Sequence, residues 1–232
     1  YNQRIRFRGY IYKIIKRIVF LKILLLVHGC VTGVNEESIY SEKIVEKKTY
    51  SSWGDINTSE IIILAIHGYN DYSNSFKIPA EYLSKSNIFT FSFDLDGFGR
   101  NDNSSVWFPL SVHKQVIKEE LLKLKKQNLK KKIFLLGESM GGAIITSLMT
   151  NDRELPIDGA VLVAPAMWNF SESNFFKSLF MSLVSKLFPN LKVSSKGWVE
   201  VQASDNQEVL KELSKDKYFI HHPNLKSLNG II

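Results

Sequence analysis

The stretch GESMGG, residues 137–142, constrains the fold more than any other part of the chain. It lies between two apolar runs, KKIFLL and AIITSLM, and crowds three glycines around one serine. A G-x-S-x-G pattern between a strand and a helix reverses the chain within one residue. The serine then adopts a strained backbone conformation and lifts its hydroxyl above the sheet. A Cβ two residues before or after is expected to collide across the turn, so Gly137 and Gly141 omit it. Gly142 is expected to let the following helix pack closely on the strand.

The rest of the chain supplies matching elements. IIILAI (61–66), IFTFSF (88–93), residues 133–136 and residues 160–164 read as strands. Residues 80–83, 112–126 and 142–149 read as helical. Strands without polar alternation, separated by helices, predict an α/β fold with a mostly parallel sheet covered on both faces. KIVEKKTY (43–50) has the alternation of an early strand. With 232 residues and 44% apolar composition, one domain with a substantial core is expected.

A serine hydroxyl is a weak nucleophile and needs a base, an orienting acid and an oxyanion hole. HGY (67–69) follows strand 61–66 directly. In this arrangement the backbone N–H groups of Tyr69 and Met140 face the developing oxyanion, each worth about 2.7–4 kcal/mol in the transition state. Met140 opens a helix, so its N–H lacks an intrahelical partner. His67, beside Gly68, is placed to hold the loop rather than to act as the base. His113 reads as a surface or capping residue of the helix at 112–126. Asp94 and Asp96 read as turn and loop hydrogen-bonding residues.

The net charge is +7. Arg4, Arg6, Arg8, Lys13, Lys16, Arg17 and Lys22 carry all of the excess, and residues 1–30 hold no acid. From Val31 onward the chain is formally neutral, which argues against a nucleic-acid partner. The apolar stretch 18–27 contains a lysine and is too short for a clean spanning helix. VHGC resembles the lipobox of bacterial lipoproteins, which makes Cys30 a lipidation candidate. An uncleaved basic membrane anchor and a simply buried Cys30 are the alternatives. Either form of anchorage predicts a membrane-associated, exported protein, on the periplasmic side for a lipoprotein. With one cysteine no intrachain disulfide can form. Nothing in the sequence indicates a metal site or a nucleotide cofactor.

HGYNDYS (67–73), FDLDGFGRND (93–102), GESMGG (137–142), VLVAPAM (161–167) and SDNQEVLKELSKD (204–216) together resemble the α/β-hydrolases of the monoacylglycerol lipase and lysophospholipase type. Asn101 stands where that family has serine, and Lys217 where it has proline. The resemblance implies hydrolysis of long-chain acyl esters through an acyl-enzyme on Ser139, with a lipid ester as substrate and a membrane surface as partner. It divides the chain into a leader (1–30), the N-terminal part of the hydrolase core (31–166), a cap (167–228) and the start of a further core segment (229–232). Phe176, Leu179, Phe180, Leu183, Leu187 and Phe188 fall on one helical face of that cap. They read either as core packing or as an apolar wall for a greasy substrate.

The resemblance also places a triad acid and then a histidine after the cap. After Ser139 the histidines are His221 and His222, inside cap-like sequence, and the aspartates are Asp152, Asp158, Asp205 and Asp216. None matches the family's positions. The expectation is a truncated or split hydrolase, crippled as it stands and completed by a C-terminal fragment, or a catalytically dead lipid-binding protein. Truncation also predicts that the strand at 160–164 is an exposed apolar edge.

Overall fold

The computed structural model describes residues 48–167, 175–193 and 204–231, all within the unit Lys43–Ile232. The leader, Cys30 and most of KIVEKKTY lie outside the described residues, as do parts of the cap.

Five strands form one sheet: β1 (Tyr50–Trp53), β2 (Ile61–Ile66), β3 (Ile88–Phe93), β4 (Lys132–Glu138) and β5 (Gly159–Val163). Their order is β1-β3-β2-β4-β5. Only β1 runs antiparallel to its neighbour; the β3-β2-β4-β5 block is parallel. The helices are α1 (Lys77–Ser84), α2 (Leu110–Gln127), α3 (Met140–Asn151), α4 (Phe175–Leu187), α5 (Gln207–Leu213) and α6 (Leu225–Ile231), and a 3-10 turn at Ser73–Phe76 precedes α1. Among the described residues, no helix is long and apolar enough to cross a membrane.

The centre of the sheet explains the β-branched runs. Ile62, Leu64, Ala65 and Ile66 on β2 are fully buried, as are Ile133 and Leu135 on β4. Side chains of this size contribute about 1.5–3 kcal/mol each when fully buried. Ile117 and Leu121 of α2 and Ile145 of α3 are likewise inaccessible to solvent. His113 corrects its expected surface or capping role. It is 2% exposed, with its ring against Phe98, Trp107 and Phe108.

Chain order places the site. After β2 the chain turns to β3 on one side, then crosses back to β4 on the other. Loops leaving the carboxyl ends of β2 and β4 therefore diverge around a crevice, the usual place for a ligand in an open α/β sheet. The register pairs Ile66 with Gly137, so residues 67–69 and Ser139 leave the sheet side by side.

β5 is the outer strand beyond β4, and both of its faces are open. Val161 (52%), Leu162 (40%) and Val163 (47%) are all exposed, although successive side chains point to opposite faces. An apolar edge of this kind templates pairing with another chain. The chain is therefore expected to elute ahead of a 26.6 kDa monomer in size-exclusion chromatography, and the doubly substituted Val161→Lys, Val163→Lys variant to shift toward it. A monomeric wild-type chain contradicts this.

Candidate active site

Ser139 caps the N-terminus of α3 with φ 49° and ψ −113°, a conformation a non-glycine residue adopts at a cost of about 1–3 kcal/mol. Three backbone hydrogen bonds hold it there. Its N–H donates to Val163 O at 2.9 Å, and its carbonyl accepts from Ala143 N at 3.1 Å and Ala166 N at 2.9 Å. The glycines explain how the turn closes. A Cβ on Gly137 would lie 2.7 Å from the backbone of both Gly141 and Gly142, a collision across the turn. Gly141 is empty for a different reason. Its Cβ would sit 2.1 Å from Ile66 O, because the first turn of α3 lies against the end of β2 as well as against β4. Gly142 faces Pro165, whose Cβ its own would meet at 3.0 Å.

The 67–69 loop stands beside the serine. A Cβ on Gly68 would lie 3.5 Å from Ser139 Cβ and 3.7 Å from Glu138 Oε2. Among the described residues the backbone N–H groups of Tyr69 and Met140 have no hydrogen-bond partner. Both therefore remain available to a ligand oxygen.

His67 is fully buried beneath this loop. Leu95 N–H donates to its Nε2 at 3.0 Å, so the proton resides on Nδ1, which donates to Gly68 O at 2.8 Å. Burial pushes its pKa down to about 4. With both nitrogens occupied and the ring neutral, His67 fastens the loop after β2 to the loop after β3.

Asp94, at the end of β3, is the second fastening. It accepts from Ser73 N (3.1 Å) and Ser73 Oγ (2.5 Å), and from Arg100 N (2.8 Å), Nε (3.0 Å) and Nη2 (3.0 Å). Burial alone would raise its pKa, but Arg100 and Ser73 outweigh it and hold the carboxyl below the usual range. Asn101 bridges Asp94 O and Leu95 O through its amide at 2.8 and 3.2 Å. Arg100 also lies over the Tyr72 ring, 5.4 Å from its centroid.

A cavity of about 430 Å³ opens over Ser139. Gly68, Tyr69 and Tyr72 form its floor together with the serine, and Val209, Leu210, Leu213 and Phe219 supply its apolar wall. The apolar helix reads from sequence either as core packing or as a wall for the substrate, and the side chain of its Phe176 lies outside the described residues. Leu179, Phe180, Leu183, Leu187 and Phe188 of α4 and its end are 38–65% exposed, and none of them lines the cavity. The wall comes instead from α5 and the loop after it.

The cavity rim is acidic, with Asp71, Glu138, Glu212 and Asp216 facing one lysine, Lys77. Burial raises Glu138, and burial also pushes Asp71 up to about 7 against the hydrogen bond from Tyr72 N–H. No sequence signal marks these carboxylates as neighbours, because the contacts span residues 71 to 216.

The four described histidines all lie off this cavity. His221 Nε2 lies 2.9 Å from Asp216 O on the exposed surface, and His222 is exposed. Asp152 pairs with Lys118, and Asp158 accepts from Ile133 N at the far end of β4. Asp205 is exposed, and Asp216 accepts from Tyr72 Oη at 2.6 Å. No group of three or more His, Cys, Asp or Glu side chains among the described residues is arranged to hold a metal ion.

These shifts set opposing pH dependences. Burial also pushes His113 down to about 4. A histidine near 6.5 when unfolded binds its proton preferentially in the unfolded chain between about pH 4 and 6.5, so stability falls as pH drops through that window. Asp71 acts in the reverse sense. Its folded pKa near 7 exceeds the unfolded value of about 3.9, so its contribution is full below that value and is lost as pH rises toward 7. Asp71→Asn removes the opposing contribution. Urea denaturation between pH 4.5 and 8 is expected to show the variant gaining on wild type as pH rises, with a steeper acid limb. Parallel curves contradict the assignment.

A family model described as serine aminopeptidase, S33, matches residues 57–232. Rat monoglyceride lipase is 24% identical over 181 residues, covering 77% of this chain and 58% of the relative. Phospholipase YtpA of Bacillus subtilis is 23% identical over 165 residues, covering 71% and 63%. The chain thus spans less than two thirds of the length of either relative. A soluble variant of Saccharomyces cerevisiae monoglyceride lipase, solved with a substrate analog, superposes with a TM-score of 0.64 at 16% identity, over 81% of this chain and 65% of that one. That likeness shows the shared fold. The family match, which covers most of the described chain, carries the assignment: the protein belongs to the serine aminopeptidase S33 family, a monoacylglycerol lipase-like group of α/β-hydrolases.

Proposed function

We propose that this chain carries the nucleophile half of a serine hydrolase that cleaves carboxylic esters of lipid acyl groups, monoacylglycerol or lysophospholipid, through an acyl-enzyme on Ser139. The observation that supports this most is the strained φ of 49° at Ser139, which lines a cavity together with Tyr69, while the backbone amides of Tyr69 and of Met140, the residue after the serine, are both unpartnered. Attack of Oγ on the ester carbonyl places negative charge on the carbonyl oxygen. The Tyr69 and Met140 N–H groups are the donors for that charge, and aligned donors of this kind are a large part of acyl-transfer catalysis. The apolar wall of Val209, Leu210, Leu213 and Phe219 suits the acyl chain, each buried CH₂ contributing about 0.8 kcal/mol.

The proton acceptor and its orienting acid come, on this reading, from further polypeptide that docks beside β5. Loss of the base in a serine hydrolase lowers turnover by about 10⁶-fold, so the chain alone turns over little. The basic leader would hold the protein at an exported membrane surface, where lipid esters reside.

A second reading rests on a specific observation, that the described histidines stand away from the cavity. On it the protein binds acyl lipids without turning them over.

A fluorophosphonate probe separates the two. In the protein supplemented with the polypeptide that provides the base, the probe is expected to label Ser139, and the label to disappear in Ser139→Ala. Labelling that persists in Ser139→Ala contradicts the first reading. Lipid binding with no labelling under any condition establishes the second.

A further inference from the structure

We propose that residues 216–231 clamp the oxyanion loop, and that Ser227 is a positioning residue acting through the Tyr69 hydroxyl. This rests on the reading of Tyr69 as an oxyanion donor for its catalytic meaning, but the clamp itself is a matter of geometry.

Tyr69 stands between two spaces. On one side it borders the Ser139 cavity; on the other it borders a small void shared with Ile220, Pro223, Asn224 and Ser227. Its Oη lies 2.7 Å from Ser227 Oγ. Burial pushes the phenol up to about 12, so it keeps its proton. The Ser227 hydroxyl already donates to Asn224 O at 2.8 Å, which leaves its oxygen to accept from Tyr69. Ser227 is itself anchored. Its N–H donates to Asn224 Oδ1 at 2.9 Å, and Asn224 Nδ2 donates to Ser105 O at 2.9 Å in the loop after β3.

The neighbouring residues are tied the same way. Ile220 N–H donates to Asn70 O at 2.9 Å, while Asn70 holds a positive φ of 66°. Tyr72 Oη donates to Asp216 Oδ2 at 2.6 Å. Three of the four residues from 69 to 72 are therefore bonded to the segment after α5. Within the loop itself the only backbone hydrogen bond among the described residues is a long one, Asp71 N to Gly68 O at 3.4 Å. The aromatic packing reinforces the clamp. The Tyr69 ring meets Phe98 and Trp107 edge-on at 6.0 and 6.3 Å, and Trp107 packs so closely on Gly230 of α6 that a Cβ there would lie 2.1 Å from the indole. The loop's Tyr69 and Tyr72 hydroxyls bond to the clamp while its Tyr69 amide, like the Met140 amide at the start of α3, stays free, so the position of Tyr69 is set from behind.

Hydrogen exchange read by mass spectrometry on the whole chain tests this. A single neutral hydrogen bond contributes enough to change local opening roughly 2- to 10-fold. Ser227→Ala and Tyr69→Phe are each expected to speed exchange in peptides covering 67–76 by that factor. The double variant should exceed neither single one, and Ser227→Thr should keep wild-type protection. Peptides from α2 and α3 should be unchanged in all four. Unchanged exchange at 67–76, additive effects in the double variant, or acceleration spread equally through α2 and α3 overturns the clamp. Failure of Ser139 to react with a fluorophosphonate would leave this result standing and would count against the hydrolase reading alone.

Discussion

The pairing of β2 with β4 is the constraint from which the site follows. It sets Ile66 opposite Gly137, so two chain segments 71 residues apart leave the sheet together. One segment brings Tyr69 and the other Ser139 and Met140. The same pairing brings the start of α3 against the end of β2, where Gly141 admits the Ile66 carbonyl at a distance no Cβ would allow. The strain at Ser139 persists because the surrounding structure over-determines it. Val163 on β5 takes its N–H, and Ala143 and Ala166 hold its carbonyl. Buried apolar strands provide the stability that such a turn draws on.

Much of this was legible in the sequence, for a physical reason. A fully buried strand must be an unbroken apolar run, and a one-residue reversal must exclude Cβ atoms, so IIILAI and GESMGG announce themselves locally. Gly141 shows where local reasoning stops: its need for hydrogen comes from a neighbouring strand rather than from the turn that contains it. His113 shows the same. Position in an amphipathic helix does not say which neighbours close over a ring, and here Phe98, Trp107 and Phe108 do. The sequence left open whether the conspicuous apolar face of α4 was core packing or a cavity wall, and it gave no sign that the shorter α5 lines the cavity with Ser139. The Asp94–Arg100–Ser73 junction and the Tyr69–Ser227 bond join residues that no spacing rule connects.

Two kinds of polar group surround the nucleophile, and they do different work. Those beneath the loops are satisfied and fixed: His67 with both nitrogens bonded, Asp94 with five donor contacts. They hold the loops after β2 and β3 in one arrangement. Those on the cavity rim, Asp71 and Glu138, are partly desolvated and biased toward the protonated form. Between them the serine has its strained turn and its two free amides. The apolar, exposed β5 borders this assembly through the Ser139 N–H to Val163 bond, so whatever covers β5 also bears on the nucleophile.

The account is tested most directly by a high-resolution crystal structure of the protein after phosphonylation at Ser139. It predicts a positive φ at residue 139 and a phosphonyl oxygen within about 3 Å of both the Tyr69 and the Met140 nitrogens, the range of an ordinary N–H···O bond. A helical residue 139, or a phosphonyl oxygen turned away from the 67–69 loop, contradicts it.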